Sequence, residues 1–246
     1  MSLPAIRTLA FLALLLAPGC GGSLSRSMSR SIARAAAGSY NPRIDPADFQ
    51  PVVDNPYFPL VPGSVFEYAG HSGREPFRIV VRVTAETKTI LGIPCVVVHE
   101  TVTQAGTVRE ESDDWYAQDH QGRVWYFGEA TRRFRADGTS ETKGSWQAGQ
   151  GDARPGLVFE KNPVPGRFAR LEYAPGSAEE LAEVVSVNDS TRVPSGRSFH
   201  CIRVRQWSRL EPGMQMKWYA KGVGLVRSES SSRDGRTVSF LTSTIR

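Results

Sequence analysis

Three motifs occur twice in this chain, in the same order and at nearly constant spacing. Val61-Pro62-Gly63 leads into Phe66-Glu67-Tyr68-Ala69, and Val164-Pro165-Gly166 leads into Leu171-Glu172-Tyr173-Ala174. Cys95-Val96-Val97-Val98 is echoed by Cys201-Ile202-Arg203-Val204, and Trp115-Tyr116-Ala117 by Trp218-Tyr219-Ala220. The offsets are 103, 106 and 103 residues. One match would be chance, whereas three in register point to an internal duplication, which constrains the fold before any local reading does. Repeat 1 then spans about 61–135 and repeat 2 about 164–246, with an insertion over about 136–163 between them.

Each half reads as the same run of strands. A Pro-Gly turn opens a strand (64–70, then 167–174), and an alternating segment follows (77–85, then 180–188). A cysteine-bearing strand comes next (93–102, then 198–208). A Trp-Tyr strand and its hairpin partner close the half (107–117 with 123–128, then 214–220 with 223–230). Short segments rich in Val, Thr, Tyr and Trp with turn residues between them are the all-β signature. Outside the leader only Pro175–Glu183 has any helical character. The expectation is an all-β domain of about twelve antiparallel strands in two halves, forming a curved sheet, a sandwich or an open barrel. The insertion, rich in Gly, Asp, Lys and Pro around Gly144-Ser145-Trp146, is either a lid or partner surface or a plain surface excursion. The prolines of Asn55-Pro56-Tyr57-Phe58-Pro59-Leu60 keep it out of a central strand. Its Tyr, Phe and Leu are expected to dock the lead-in on the first sheet.

Residues 8–17 form an apolar run after a single Arg, too short to span a bilayer and of the length of a signal-peptide hydrophobic region. The run ends in Ala17-Pro18-Gly19-Cys20-Gly21-Gly22, which resembles the bacterial lipobox, although Ala17 stands where Leu is usual. The resemblance implies residues 1–19 as signal peptide, lipidation of Cys20, and a Ser/Arg/Ala-rich linker over 20–40 before the β domain at 41–246. The membrane is then a partner through the lipid anchor. Gly21 in place of Asp favours the outer membrane where the host has two. Cleavage at Ala35-Ala36-Ala37 is the alternative, but it lies far from the apolar run.

The formal charge of +5 does not point to nucleic acid. Arg7, Arg26, Arg30 and Arg34 precede the first acid, Asp45. Removing these four from the 30 basic residues leaves 26 against 25 acids, so the folded part is near neutral and no nucleic-acid partner is expected.

Cys95 and Cys201 occupy equivalent strands. Alternation sends Val96, Val98, Ile202 and Val204 to the core face and the two cysteines to the other, beside His99, Arg203 and Arg205. In an exported chain they are candidates for a disulfide, which could contribute roughly 4–5 kcal/mol by closing a loop of about 106 residues. The alternative is two thiols, each covered by a second layer. Cys95 with His99, and His200 beside Cys201, fall short of the three or four ligands that zinc requires, so neither metal nor cofactor is expected. Gly70-His71-Ser72-Gly73 is not a nucleophile elbow, and no phosphate loop or dinucleotide fingerprint occurs. Within Glu110-Glu111 and Asp113-Asp114, neighbouring carboxylates face opposite sides. No catalytic residue is assigned.

What stands out is aromatic density: Trp115, Tyr116, Trp125, Tyr126, Phe127, Trp218 and Tyr219. Adjacent aromatics put apolar weight on both faces of a strand. Either a second layer covers the outer face, or the sheet curves around a cavity these side chains line. The partner is accordingly a hydrophobic or amphipathic ligand or, with a solid core, an envelope protein.

The segments Asn55 to Leu60, Asp114-Trp115-Tyr116-Ala117-Gln118-Asp119 and Gly122-x-Val124-Trp125-Tyr126-Phe127-Gly128-Glu129 resemble a family of uncharacterised bacterial secreted proteins and lipoproteins. Trp218-Tyr219-Ala220-x-Gly222-Val223-Gly224-Leu225-Val226 is similar to a strand motif of periplasmic β-rich lipoproteins. The resemblance spans most of 55–230. It implies export, with a looser fold analogy to lipoprotein carriers and lipocalins, and brings no catalytic residues.

Overall fold

The computed structural model describes residues 40–210, 213–232 and 235–246; Cys20 and the leader lie outside them. A single 3-10 turn, Pro46–Asp48, precedes fifteen strands. The first half holds β1 (Phe49–Gln50), β2 (Val65–Ser72), β3 (Glu75–Ile90), β4 (Ile93–Gln104), β5 (Thr107–Asp119) and β6 (Val124–Phe134). The insertion contributes β7 (Ser140–Glu141), β8 (Trp146–Gln147) and β9 (Gly156–Phe159). The second half holds β10 (Phe168–Arg170), β11 (Glu180–Arg192), β12 (Ser198–Ser208), β13 (Met214–Ala220), β14 (Gly224–Ser232) and β15 (Gly235–Ile245).

All pairings among the described residues are antiparallel. Twelve strands run in one curved, unclosed sheet in the order β10-β11-β12-β13-β14-β15-β2-β3-β4-β5-β6-β7, and β1, β8 and β9 attach to it from the side. Of the three forms open to the sequence, the curved sheet is the one adopted. β15, beyond the last strand expected, pairs with both β14 and β2 and so joins the halves. The helical character at 175–183 is not realised. Ala174–Ala178 closes a tight turn and β11 starts at Glu180, because the second strand of this half continues there.

The halves share their irregularities as well as their strands. Between β5 and β6 the register slips by one residue after Trp115↔Gly128, so Tyr116 pairs with Tyr126. Between β13 and β14 it slips by one after Trp218↔Arg227, so Tyr219 pairs with Leu225. The partners of the cysteine strands carry extra residues at matching places, between Val83 and Thr87 on β3 and between Val184 and Asp189 on β11. A bulge bends its strand and increases the twist. Each half therefore curls at the same two places.

Curling brings distant strands face to face. Tyr116 of β5 and Tyr219 of β13 line one cavity although six strand steps separate them. The insertion sits at the seam between the end strands. β8 and β9 pair with β6, and the Arg154 N–H donates to the Tyr173 carbonyl (2.8 Å). Gly156 lies so close to the second half that a Cβ there would be 1.8 Å from the Leu171 carbonyl oxygen. Trp146 is buried edge-on against Tyr126, with centroids 5.4 Å apart.

Asn55–Leu60 closes one end of the concave side. The Asn55 backbone N–H donates to Gln118 Oε1 (2.8 Å), and its Nδ2 donates to the carbonyls of Gly122 (2.9 Å) and Glu160 (3.3 Å). On the other half, the Gly222 N–H donates to the Pro56 carbonyl (2.6 Å). Phe58 then packs on Tyr116 (5.2 Å) and Phe159 (5.7 Å).

The cysteines are not bonded. Cys95 and Cys201 are free and buried, each Sγ turned to a carbonyl on its own strand, Ile93 and Phe199 respectively. Equivalent places in two halves are not neighbouring places. β4 and β12 are six strand steps apart, and Cys95 and Cys201 lie on the convex face, opposite Val96 and Ile202, where curling of the sheet turns side chains away from each other, whereas a disulfide needs Cα atoms within about 7 Å. Burial pushes the Cys95 thiol up to about 12 and the Cys201 thiol to about 11, so both stay protonated.

Candidate functional site

The expected site aromatics divide between the two faces of the sheet. Tyr116 and Tyr219 face the concave interior, where Tyr126 stacks on Tyr116 at 4.8 Å. Trp115, Trp125, Phe127 and Trp218 are buried on the other face. There Lys88 Nζ sits 3.3 Å from the Trp115 ring centroid, and the Trp125 indole donates to Asp119 Oδ2 (2.9 Å). Phe49 covers Phe127 edge-on at 5.7 Å, and the Arg227 guanidinium lies over Trp218 at 4.5 Å. Of the candidate aromatics only Tyr116 and Tyr219 thus line the cavity, and the outer-face rings are covered by Lys88 and Arg227 of nearby strands and by Phe49.

The cavity has a volume of about 60 Å³. Phe66, Val98 and Leu225 wall it, half-buried Phe58, Pro59, Val81 and Val223 form its rim, and Glu100, Asp114 and Tyr116 lie buried at its floor. Alternation on β4 places Glu100 in register with Val96, Val98 and Val102, so the strand that buries its valines also buries a carboxyl. On β5 the same rule aligns Glu110, Ser112, Asp114 and Tyr116.

Around this floor the interior is acidic. The Asp114 carboxylate accepts from the Tyr126 hydroxyl (2.5 Å) and the Ser112 hydroxyl (3.0 Å). Burial raises its pKa from 3.8 to about 7 against the opposing effect of those two hydrogen bonds, with Glu110 and Asp113 adding repulsion. Glu129, its cross-strand partner, is raised in the same sense, by withdrawal from water and then by the charges of Asp114, Glu172 and Glu110. Arg133 Nε donates to Glu110 Oε2 (2.8 Å). Lys217 of β13 is 1% exposed. Burial lowers its pKa, while Glu180, Glu100, Glu172 and Asp114 act to hold its proton. Six carboxyls from both halves thus share this interior with Lys217 and Arg133.

Of these polar groups the sequence reading weighs only Glu110 and Asp114, and it assigns neither a role. The signal existed, since Glu100 follows Val98 by two and Lys217 precedes Tyr219 by two. The carboxylate pairs do alternate as expected, but Glu110 and Asp114 share the inner face with each other. Asn55 opens the Asn-Pro motif and accepts locally from the Tyr57 N–H (3.0 Å), but the partners that make it close the end, Gln118, Gly122 and Glu160, lie more than sixty residues away.

A second polar group lies on the outer face. His99 Nδ1 is 2.8 Å from Asp113 Oδ1, and Thr101 Oγ1 is 3.4 Å from His99 Nε2, in a cleft of about 270 Å³ that also includes Arg132 and Ser145. The order Asp–His–Thr is that of a proton relay. The backbone around it is committed to the β4–β5 ladder, however, which leaves no pair of N–H groups aimed at a developing oxyanion. Cys95 is on the same strand face as His99 without forming a metal site. Among the described residues no group of three or more His, Cys, Asp or Glu side chains could hold a metal ion.

No protein-family profile and no curated sequence matches this chain. Among solved structures it is similar to one from Bacteroides fragilis described as an exported protein with a YmcC-like fold. That likeness has a TM-score of 0.48 and 18% identity, covering 77% of this chain and 99% of that one. It is also similar to one from Parabacteroides distasonis described as a lipoprotein, with a TM-score of 0.44 and 17% identity, covering 80% of this chain and 100% of that one.

Proposed function

We propose that this chain is an exported envelope protein, anchored by lipid on Cys20, whose β domain binds a small amphipathic ligand in its interior cavity. The observation that carries the binding reading is a cavity with apolar walls and a half-buried rim that ends on the carboxyls of Glu100 and Asp114. At about 60 Å³ it is far below the roughly 300–1,000 Å³ of sites that enclose a drug-sized molecule. It suits the head of an amphiphile whose tail lies along Phe58, Pro59 and Val223, and it does not suit a buried acyl chain. The leader and Cys20 support export and anchoring, with the outer membrane as the destination in a two-membrane host.

Native mass spectrometry of the protein purified from its own envelope, with solvent extraction, tests the ligand. A small amphiphile near one per chain supports it, and a clean apo mass refutes it. The second reading, an interaction protein with a solid core, is favoured by an interior that is otherwise filled by Phe159, Tyr126 and the Asn55–Leu60 segment, and the apo result would select it. For the anchor, fatty-acid labelling should disappear in Cys20→Ser; persistence of the label would rule out Cys20 as the lipidated residue.

A further inference from the structure

The cavity mouth lies at the end of the sheet where β13 turns into β14, and its surroundings are apolar. Half-buried Phe58, Pro59 and Val223 rim it. The Gly222 N–H donates to the Pro56 carbonyl (2.6 Å), which holds the 221–223 turn against this rim. Beside it Val61 is 48% exposed and Ile245 60%. The Val61 carbonyl accepts from the Ser64 N–H (3.0 Å), and the next residue, Val65, pairs with Ile245. A single exposed valine or isoleucine is ordinary, but here the two continue a half-buried rim, and a contiguous apolar patch marks an interaction surface.

Basic side chains flank the patch. Lys161, Lys221 and Arg246 are all exposed. Arg246 donates to the Gly222 carbonyl and so stands at the same turn as Lys221. The Lys161 stem lies against Gly122, on the far side of Asn55. The acids nearby are engaged, since Asp54 accepts from Gln118 Nε2 (2.6 Å) and Glu160 pairs with Arg167 (3.4 Å). An apolar centre with cations around it matches the boundary between acyl chains and anionic headgroups. A second copy of the same face would set like charges against each other.

We infer that this end of the domain docks on an anionic phospholipid bilayer, with Val61 and Ile245 at the headgroup–acyl boundary, Lys161, Lys221 and Arg246 among the phosphates, and the cavity mouth turned to the lipid. Docking rests on the anchored-envelope reading above and deepens it. A tether keeps the domain near a membrane but leaves it free to tumble, whereas this face sets which way it looks. An amphiphile then passes from bilayer to cavity without crossing water.

The test uses the lipidated full chain reconstituted in phosphatidylcholine vesicles with or without phosphatidylglycerol. An environment-sensitive fluorophore is attached at Val61→Cys or, at the opposite end of β13, at Met214→Cys, where the native side chain is 45% exposed. The unsubstituted chain, labelled in the same way, is the blank for Cys95 and Cys201. Nitroxide-bearing lipids quench whatever touches the bilayer. With phosphatidylglycerol present, quenching at position 61 should exceed that at 214 by about threefold or more. High salt, or Lys161→Glu with Lys221→Glu, should lower it by about twofold or more. Equal quenching at the two positions, or none at either, in vesicles that carry the protein would overturn the docked face and leave the anchor standing. Quenching at 61 that is unchanged without phosphatidylglycerol would overturn the choice of an anionic surface. Protein that fails to float with the vesicles would overturn both docking and anchor.

Discussion

Replacing Asp114 by asparagine removes a titration that the fold itself creates. The carboxyl has a pKa near 3.8 in an unfolded chain and about 7 when buried beside Glu110 and Asp113. The native state therefore holds the proton more tightly than the unfolded state. Stability from this group is fully present below pH 3.8 and is lost as pH rises to about 7. At about 1.36 kcal/mol per pKa unit the whole loss is about 4 kcal/mol. More than a third of it has occurred by pH 5, so about 2.5 kcal/mol remains to be lost between pH 5 and pH 8. Asparagine is neutral throughout. It can still accept from the Tyr126 hydroxyl, and its amide can donate to Ser112 Oγ. Urea unfolding of wild type and Asp114→Asn at pH 5 and pH 8 should therefore show the difference between them moving by about 2.5 kcal/mol in favour of asparagine as pH rises. Glu129 titrates in the same direction in both proteins, and removal of the Asp114 charge relieves part of its rise, which adds to the shift in favour of asparagine. A difference that stays within about 0.5 kcal/mol across the two pH values would refute the claim that Asp114 is buried against its charge.

Lys217→Met leaves Glu180, Glu100, Glu172 and Asp114 without their cation. It should cost about 3–5 kcal/mol at pH 8 and less at pH 5, where Asp114 holds its proton; equal cost in urea titrations at both pH values would contradict it. Gly156→Ala drives a methyl into the Leu171 carbonyl and should destabilise by about 1–3 kcal/mol. Thermal melts that show no loss for Gly156→Ala would mean that β9 does not seal the seam. The two thiols should resist a disulfide-exchange reagent in native buffer and react fully in denaturant, with no intact-mass change on reduction. Rapid native labelling of Cys95 would refute its burial.

Much of the strand layout was legible because it depends on local patterns. Strands at 77–85, 93–102 and 107–117 announce themselves by period-two alternation between turn residues, and the Trp-Tyr echo marks β5 and β13 as counterparts. Alternation also places Cys95 opposite Val96, and the structure agrees. What failed was the step from equivalence to proximity. Cys95 and Cys201 hold matching positions, but strand order sets them six steps apart on the convex face, where curling does not bring side chains together, and strand order is decided by β15 joining β14 to β2. The same holds for the interior. The residues of β4 and β13 give the face on which Glu100 and Lys217 lie. They do not say that the sheet curls until one meets the charge of the other, or that Asn55–Leu60 seals the end and the insertion closes the seam. Those contacts link residues far apart in the chain, and their existence depends on the summed twist and bulges of the whole sheet. Local sequence determined which side chains turn inward; only the curvature of the whole sheet decided what they meet there.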